Sequence, residues 1–407
     1  MTNEITFRLF RLLPLASERN VANGLCRSNP ASPELTNSLI PPMLKELLTI
    51  VLITAFWAGT QDAMYAQKYS NEFLSIGVGA RAHGMGTAVV AGQQDVYASA
   101  WNPAGLAGLS SDDGLEIGAM HAEWFGGVGN YDYLGFTLPL SGNNQRLGFS
   151  LIRFGIDNIP NTLSLYEADG TINFDNITEF SAADYAFIGT YARAYPKPNG
   201  ALRLGGNVKV VRRTIGEFAN SWGFGLDLGA QLEKKNWTFA LLARDITTTF
   251  NAWSFSFSDQ DKETLELTNN AVPINSVETT NPTIILAANR KFTLTDKINL
   301  TAELDLIATT DGERNTLISG DPVSLDPAFG LEGAYSDFIF VRAGVSQLQR
   351  IQDFDDIERL NSRPSLGLGL KVGQLNVDYA YTDLGDDDGR STYSHIVSLR
   401  LGLKPQN

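Results

Sequence analysis

The stretch Ser221-Trp222-Gly223-Phe224-Gly225-Leu226-Asp227-Leu228-Gly229-Ala230-Gln231-Leu232 decides the fold. Its even positions are apolar, and its odd positions are glycine, serine, aspartate or glutamine. That is the period-two pattern of a strand with one greasy face and one small or polar face. The same alternation sets Ile298, Leu300, Ala302, Leu304 and Leu306 against Asn299, Thr301, Glu303 and Asp305. It returns in Val397, Leu399, Leu401 and Leu403 against Ser398, Arg400, Gly402 and Lys404. In each segment the charges keep to the non-greasy parity.

Outward from these segments, fourteen strands are expected near 114–124, 130–140, 145–157, 183–195, 201–214, 221–232, 236–247, 282–292, 297–308, 327–335, 338–347, 364–372, 374–383 and 392–403. Short turns fall at Ser141–Asn144, Lys197–Gly200, Lys234–Lys235, Thr293–Asp296, Ser336–Asp337 and Gly373. Long connections fall between them, at Asn158–Ala182, Thr248–Asn281, Thr309–Asp326, Leu348–Arg363 and Leu384–Ser391. An even number of alternating segments, with tight turns at one end and long loops at the other, is the signature of an outer-membrane barrel. Aromatic residues at strand ends, among them Trp124, Tyr131, Tyr185, Tyr195, Trp237, Tyr335, Tyr379, Tyr381 and Tyr393, suit the two interfacial girdles. The expected fold is therefore all-β: a 14-stranded antiparallel transmembrane β-barrel over 114–404, integral to a Gram-negative outer membrane and in contact with its lipid. A secreted soluble all-β protein is the competing reading.

Composition excludes other classes. The 407 residues are 43% hydrophobic and 19% charged, with a net charge of −14 and a mean hydropathy of −0.09. No apolar run reaches the roughly 18 residues of a spanning helix. The acidic balance argues against a nucleic-acid partner. A single cysteine, Cys26, builds neither a disulfide scaffold nor a zinc cluster.

Met43 opens a segment with basic Lys45, an apolar core from Leu47 to Ala58 and small Ala66, which reads as a signal peptide over 43–66 cut at Ala66, or at Ala63. Residues 1–42 then precede it as a non-native or disordered leader, either an over-extended reading frame or an unusually long one. Cys26 has no apolar core before it and is not read as a lipidation site.

Residues 67–113 have another texture. Between Glu72 and Ser110 stand Gly79-Ala80-Arg81-Ala82, Gly84-Met85-Gly86, Asp95 and the box Trp101-Asn102-Pro103-Ala104-Gly105-Leu106. This stretch resembles the amino-terminal region of the PorV/PorQ family of outer-membrane barrels and, more distantly, the FadL-like transporter superfamily. The terminal strand pair around Gly367–Gly385 and His395–Leu403 is also similar to that family's end. The resemblance implies that the segment is a hatch folded inside the lumen, with Gly79, Arg81, Gly84, Gly86, Asp95, Trp101, Asn102, Pro103, Ala104 and Gly105 as its motif. Size agrees, because a fourteen-stranded wall encloses more space than its own side chains fill.

No catalytic, metal or cofactor site is expected. The histidines are His83, His121 and His395, and no G-x-S-x-G is present. His121 and His395, on the first and last strands, are the one suggestive pairing. The acidic runs Asp353–Glu358 and Asp383–Asp388 lack a calcium-loop pattern. Gly77-Val78-Gly79-Ala80-Arg81-Ala82 nearly matches a dinucleotide fingerprint, but the βαβ context that fingerprint needs is missing.

Two functions follow from the resemblance. One is a non-enzymatic component of type IX protein secretion, in contact with secretion-system proteins or exported cargo. The other is a FadL-like passive transporter of apolar small molecules. Phe250, Trp253, Phe255 and Phe257, read as a period-two stripe in the long connection Thr248–Asn281, are the candidate extracellular contact.

Overall fold

A computed structural model describes residues 70–110, 114–140, 144–167, 169–352, 358–383 and 393–403. The leader and signal-peptide readings, and the acidic runs at 353–357 and 384–388, lie outside the described residues.

Fourteen strands close into one antiparallel barrel: β1 (Leu115–Trp124), β2 (Gly129–Pro139), β3 (Gln145–Asn161), β4 (Thr178–Lys197), β5 (Gly200–Ile215), β6 (Ala219–Lys234), β7 in two halves (Trp237–Arg244 and Thr249–Phe255), β8 in two halves (Ser276–Thr280 and Thr283–Thr295), β9 (Ile298–Thr309), β10 (Ser324–Tyr335), β11 (Ile339–Gln352), β12 (Glu358–Val372), β13 (Leu375–Asp383) and β14 (Tyr393–Leu403). The barrel closes where β1 pairs with β14, from Leu115 opposite Leu403 to Glu123 opposite His395. Closure pairs the wall strands on both sides, as a hydrocarbon environment requires; the exception is the upper half of β8, Ser276–Thr280, which is bonded only to Thr249–Trp253.

The alternation holds on the deciding strand. Trp222, Phe224, Leu226, Leu228 and Leu232 are exposed on the outer face, whereas Ser221, Asp227 and Gln231 are buried inside. Leu134, Phe136, Phe149, Val208, Leu286, Leu366 and Leu368 extend this apolar surface to other strands. Such a belt is stable against lipid and would be an aggregation surface in water.

The structure differs from the sequence reading in three respects. Several strands run further into the long connections than periodicity indicates: β3 has 17 residues and β4 has 20, against the roughly ten of a simple crossing. Alternation weakens where a strand leaves the lipid, so its outer end carries no hydrophobic signal. Next, the connection Thr248–Asn281 is not one loop. It holds the upper halves of β7 and β8, with a helix, α3 (Asp259–Leu267), between them. Ser258 and Asp261 close a capping box at the start of that helix. Finally, Trp124 and Tyr131 are not girdle residues, because both are buried and point inward. Tyr195, Trp237, Tyr335, Tyr379 and Tyr393 are exposed on the wall.

One seam interrupts the wall. The halves of β7 pair with β6 up to Leu228–Ala243 below and Phe224–Phe250 above, leaving Gly225, Leu226 and Asp227 opposite the break. Asp245 (φ 54°) and Thr248 (φ 60°) turn the chain out of register there. The seam continues into β8 at Asn281-Pro282, where proline has no N–H to donate.

Candidate functional site

The segment Ser70–Ser110 winds through the barrel, and its contacts touch most of the wall. It begins beside the upper halves of β7 and β8. There Asn251 Nδ2 donates to Ser70 Oγ (2.7 Å) and Asn71 Oδ1 (3.0 Å), and Asn71 Nδ2 donates to Thr280 Oγ1 (2.9 Å). The Ala80 N–H then donates to Ser398 Oγ on β14 at 3.0 Å. A short helix, α1 (Ala80–Gly84), follows. It is five residues long and too short to be stable alone, so the wall must hold it.

That hold is electrostatic. Arg81 donates through Nε and Nη2 to the two oxygens of Glu332 at 2.9 and 3.0 Å, and through Nη1 to Gln93 Oε1 at 3.0 Å. Arg342 of β11 shares Glu332 at 2.6 Å and reaches Asp378 of β13 at 2.7 Å. Burial works to discharge the Arg81 guanidinium, but Glu332 beside it outweighs that effect and raises its pKa above the ordinary arginine value. A planar guanidinium opposite a carboxylate is the geometry that makes such a pair strong.

Beyond α1 the backbone itself is held. Val89 and Val90 donate their N–H groups to Asp305 Oδ2 at 3.0 and 3.1 Å. Ala91 and Gly92 donate theirs to Glu303 Oε1 at 2.6 and 3.0 Å. The two carboxylates stand two residues apart on β9 and therefore share its inner face. Val96 N–H donates to Glu116 Oε2's partner oxygen, Oε1, at 2.7 Å, while Oε2 accepts from Arg400 at 3.1 Å.

The sequence-derived motif residues all lie in this buried segment. Gly86 (φ 61°) passes so near the wall that a Cβ there would meet Val345 N at 2.4 Å, and one on Gly344 would meet Gly86 N at 2.1 Å. Gly79 stands at the N-cap of α1 and Gly84 is its last residue. Asp95 accepts from Gln93 Nε2 (2.6 Å) and Tyr97 N (3.0 Å), with Arg400 at 3.7 Å. Trp101, at the end of α2 (Ala98–Trp101), donates from Nε1 to Val78 O at 2.7 Å and so ties the segment's late part to its early part. Asn102 is extended (φ −146°, ψ 109°) and caps the 3-10 turn Pro103–Gly108, accepting from Ala104 N at 3.1 Å. Ala104 and Gly105 are buried in that turn. A Cβ on Gly229 would lie 2.0 Å from Asn102 Oδ1, so the wall is shaped to admit this corner.

The aromatic stripe is not one face. Phe250 is exposed on the outer wall beside Phe224 (ring centroids 5.9 Å apart), whereas Trp253 points inward and is buried. Their three-residue spacing puts them on opposite faces of a strand. Trp253 and Phe255 stack at 6.0 Å, and Phe257 lies past the strand end against Phe218 at 5.7 Å. His121 and His395 do not pair with each other: His121 Nδ1 meets Asp132 at 2.7 Å, and His395 Nδ1 meets the Tyr379 hydroxyl at 2.7 Å.

Sequence reasoning found the segment and missed its receptors on the wall: Glu116, Glu303, Asp305, Glu332, Arg342, Asp378 and Arg400. All are charged residues on the lumen parity of a strand, and that is the signal by which they could have been found. At the seam, Lys209 is buried between Asp227 (2.7 Å) and Asp245 (2.5 Å), and Thr249 Oγ1 also donates to Asp245. Asn207 bridges Asp227 (3.0 Å) to the carbonyl of Ser99 in the N-terminal segment (2.8 Å). On the lipid side of the same seam lies a groove of about 160 Å³ lined by Val208, Phe224, Leu226, Thr247, Thr248 and Phe250.

No family model matches the chain, and no curated protein matches it. Solved structures do. The toluene transporter TodX of Pseudomonas putida is 13% identical, with 83% of this chain and 100% of that chain aligned at a TM-score of 0.50. The CymD monoaromatic hydrocarbon channel is 12% identical over 84% of this chain and 100% of its own, at a TM-score of 0.48. A FadL homologue of Pseudomonas aeruginosa is 13% identical over 79% and 97%, at 0.43. At this identity the likeness to TodX speaks for the fold.

Proposed function

We propose that this chain is an outer-membrane barrel that takes apolar small molecules from the cell exterior and releases them sideways through its wall. The seam carries this reading. The axial route is filled by a hatch held through buried charges and hydrogen bonds, an environment that disfavours an apolar solute. The strand register, by contrast, breaks at Asp245–Thr248, where the Ile246 N–H donates to Leu226 O at 3.0 Å, and an apolar groove lies there on the lipid side. An apolar molecule gains free energy by entering lipid and has no reason to enter the aqueous periplasm. Lys209, Asp227 and Asp245 close the seam from within, and Asn207 links that closure to the hatch. That TodX, a structure of similar fold, is named as a toluene transporter agrees with this reading.

Uptake measurements test it. Cells producing the barrel should take up a labelled monoaromatic or aliphatic tracer faster than cells lacking it, with no gain for a sugar of equal size. Leu226→Trp, which fills the groove, should abolish most of that gain. Equal uptake of the sugar, or no effect of Leu226→Trp, would refute sideways release.

A second reading is the type IX secretion component implied by the hatch motif. It is favoured by apolar side chains on the connection after β3, where Tyr166, Ile172 and Phe174 are 58%, 53% and 72% exposed. Cross-linking from this connection in the native membrane, with recovery of an exported protein and no tracer uptake, would favour export over transport.

A further inference from the structure

Charge is segregated between the two ends of this barrel. The long connections carry exposed carboxylates, among them Glu167, Asp169, Asp259, Glu263 and Glu266. The end with the short turns carries Asp296 and Asp337 but more cations, and six of these gather on neighbouring strands and turns: Lys197, Lys234, Lys235, Arg290, Lys291 and Lys297, all exposed. Strand register brings them together, with Lys234 opposite Trp237 and Trp237 opposite Arg290. The Lys235 N–H donates to Asn199 O at 3.0 Å, which holds the Lys197 turn alongside. The Lys291 N–H donates to Asn236 O at 2.9 Å, which does the same for β8.

None of these six side chains forms an ion pair among the described residues. Of the nearby carboxylates, Glu233 is bonded to Arg203, and Asp296 lies beyond in the β8–β9 turn. Aromatic rings frame the cations instead. The Arg290 guanidinium lies 4.8 Å from the Trp237 ring and 4.6 Å from the Phe292 ring, and Trp237 stacks on Phe239 at 5.7 Å. One step further along the wall, Phe239, Leu241 and Leu286 are exposed on the lipid face.

We propose that this rim binds the headgroup of an anionic phospholipid in the inner leaflet of the outer membrane. The phosphodiester is taken by Lys234, Lys235 and Arg290, and the acyl chains lie along Phe239 and Leu241. Unpaired cations placed at the lower edge of an apolar, ring-bordered belt sit at the height where lipid phosphates lie. A soluble phosphate would meet only the screened charge and none of the apolar surface. The inference rests on the reading that the chain spans the membrane with its short turns at the periplasmic face.

The intact barrel, purified in a neutral detergent, is titrated with phosphatidylglycerol or phosphatidylethanolamine and followed by native mass spectrometry. Phosphatidylglycerol should bind in preference, and Lys234→Gln/Lys235→Gln/Arg290→Gln should weaken it by roughly tenfold or more. Lys262→Gln, on α3 at the opposite end, should leave it unchanged. If the triple variant does not fold, Lys234→Gln/Lys235→Gln, both exposed at the turn, still tests the surface. Equal binding of the two lipids, survival of binding in the variant, or displacement by millimolar inorganic phosphate would overturn the proposal. Maleimide labelling of Asn236→Cys separates this outcome from an error of topology: labelling in intact cells would mean that the rim faces outward, whatever the lipid result.

Discussion

Arg81 and Glu332 lie 251 positions apart in sequence and meet in a two-point ion pair inside the barrel, at 2.9 and 3.0 Å. The first belongs to the segment that fills the lumen and the second to the wall strand β10. Glu332 also accepts from Arg342, so one carboxylate is shared by two buried guanidinium groups, the second of which has Asp378 as a further partner.

Glu332→Gln should therefore be more damaging than loss of one hydrogen bond. It leaves the Arg81 guanidinium against a neutral amide while Arg342 keeps Asp378, and breaking a buried pair by removing one partner costs about 3–5 kcal/mol. The wall retains its ladder bonds, so the loss should fall on the hatch. In planar bilayers the native barrel should be closed, and the variant should carry a sustained current. A variant as silent as the native protein, with unchanged resistance to denaturant, would show that the pair does not hold the hatch.

Gly229→Ala probes the corner of the hatch without changing charge. The added methyl would sit 2.0 Å from Asn102 Oδ1, so the Asn102-Pro103 turn must move. Overpacking of this kind costs about 1–3 kcal/mol. Gly189→Ala is the control, because nothing lies within 4 Å of its Cβ position. Limited proteolysis of the detergent-solubilised protein should cut the hatch of Gly229→Ala faster than that of Gly189→Ala, and equal rates would remove the steric argument.

Topology is open to thiol labelling in a Cys26→Ser background. Ser319, exposed on the β9–β10 connection, and Asn236, exposed in the β6–β7 turn, lie at opposite ends of the barrel. A membrane-impermeant maleimide should label Ser319→Cys in intact cells and Asn236→Cys only after the outer membrane is breached. The reverse result would invert the barrel.

The wall was legible in the sequence because its two faces meet different solvents, and that contrast is written as a period of two. Trp222 through Leu232 needed nothing else. The seam was not legible: Asp245–Thr247 read as the end of a strand, Thr248–Asn281 as a loop and Pro282 as the start of the next strand, and only pairing shows that the breaks interrupt two strands at one height. The segment that fills the lumen was visible as a change of texture, but its receptors on the wall were not. Glu303, Asp305 and Glu332 look like any lumen-facing charge until the chain that fills the lumen is in place. Gln231 makes the same point. Its parity marks it as lumen-facing, yet it is wholly buried and donates to Val90 O at 3.1 Å, so it is part of an interface.

The hatch should also respond to acid, through His83. This residue is buried on α1, its Nε2 bonded to the Gly77 carbonyl at 3.1 Å and its ring 5.4 Å from that of Trp124. The bond to a carbonyl requires Nε2 to carry the proton, which leaves Nδ1 without one and, among the described residues, without a partner. Burial disfavours a second proton, the Arg363 guanidinium repels it, and together they push the His83 pKa down to about 3 against a weaker opposing pull from Gly77. In the unfolded chain the same imidazole protonates near pH 6.5. The depressed value means that the stability His83 contributes is whole above pH 6.5 and is lost progressively as pH falls toward 3, because only the unfolded segment takes up the proton. At pH 5 the loss amounts to about 2 kcal/mol, a pKa unit being worth about 1.36 kcal/mol. Amide hydrogen exchange in α1 should therefore speed up between pH 7.5 and pH 5 once corrected for intrinsic rates, while the wall strands stay protected. His83→Gln can keep a donor toward Gly77 and cannot titrate, so its exchange should show no such pH dependence. Should the native protein and His83→Gln respond alike, the acid sensitivity would belong to the wall carboxylates and not to this histidine.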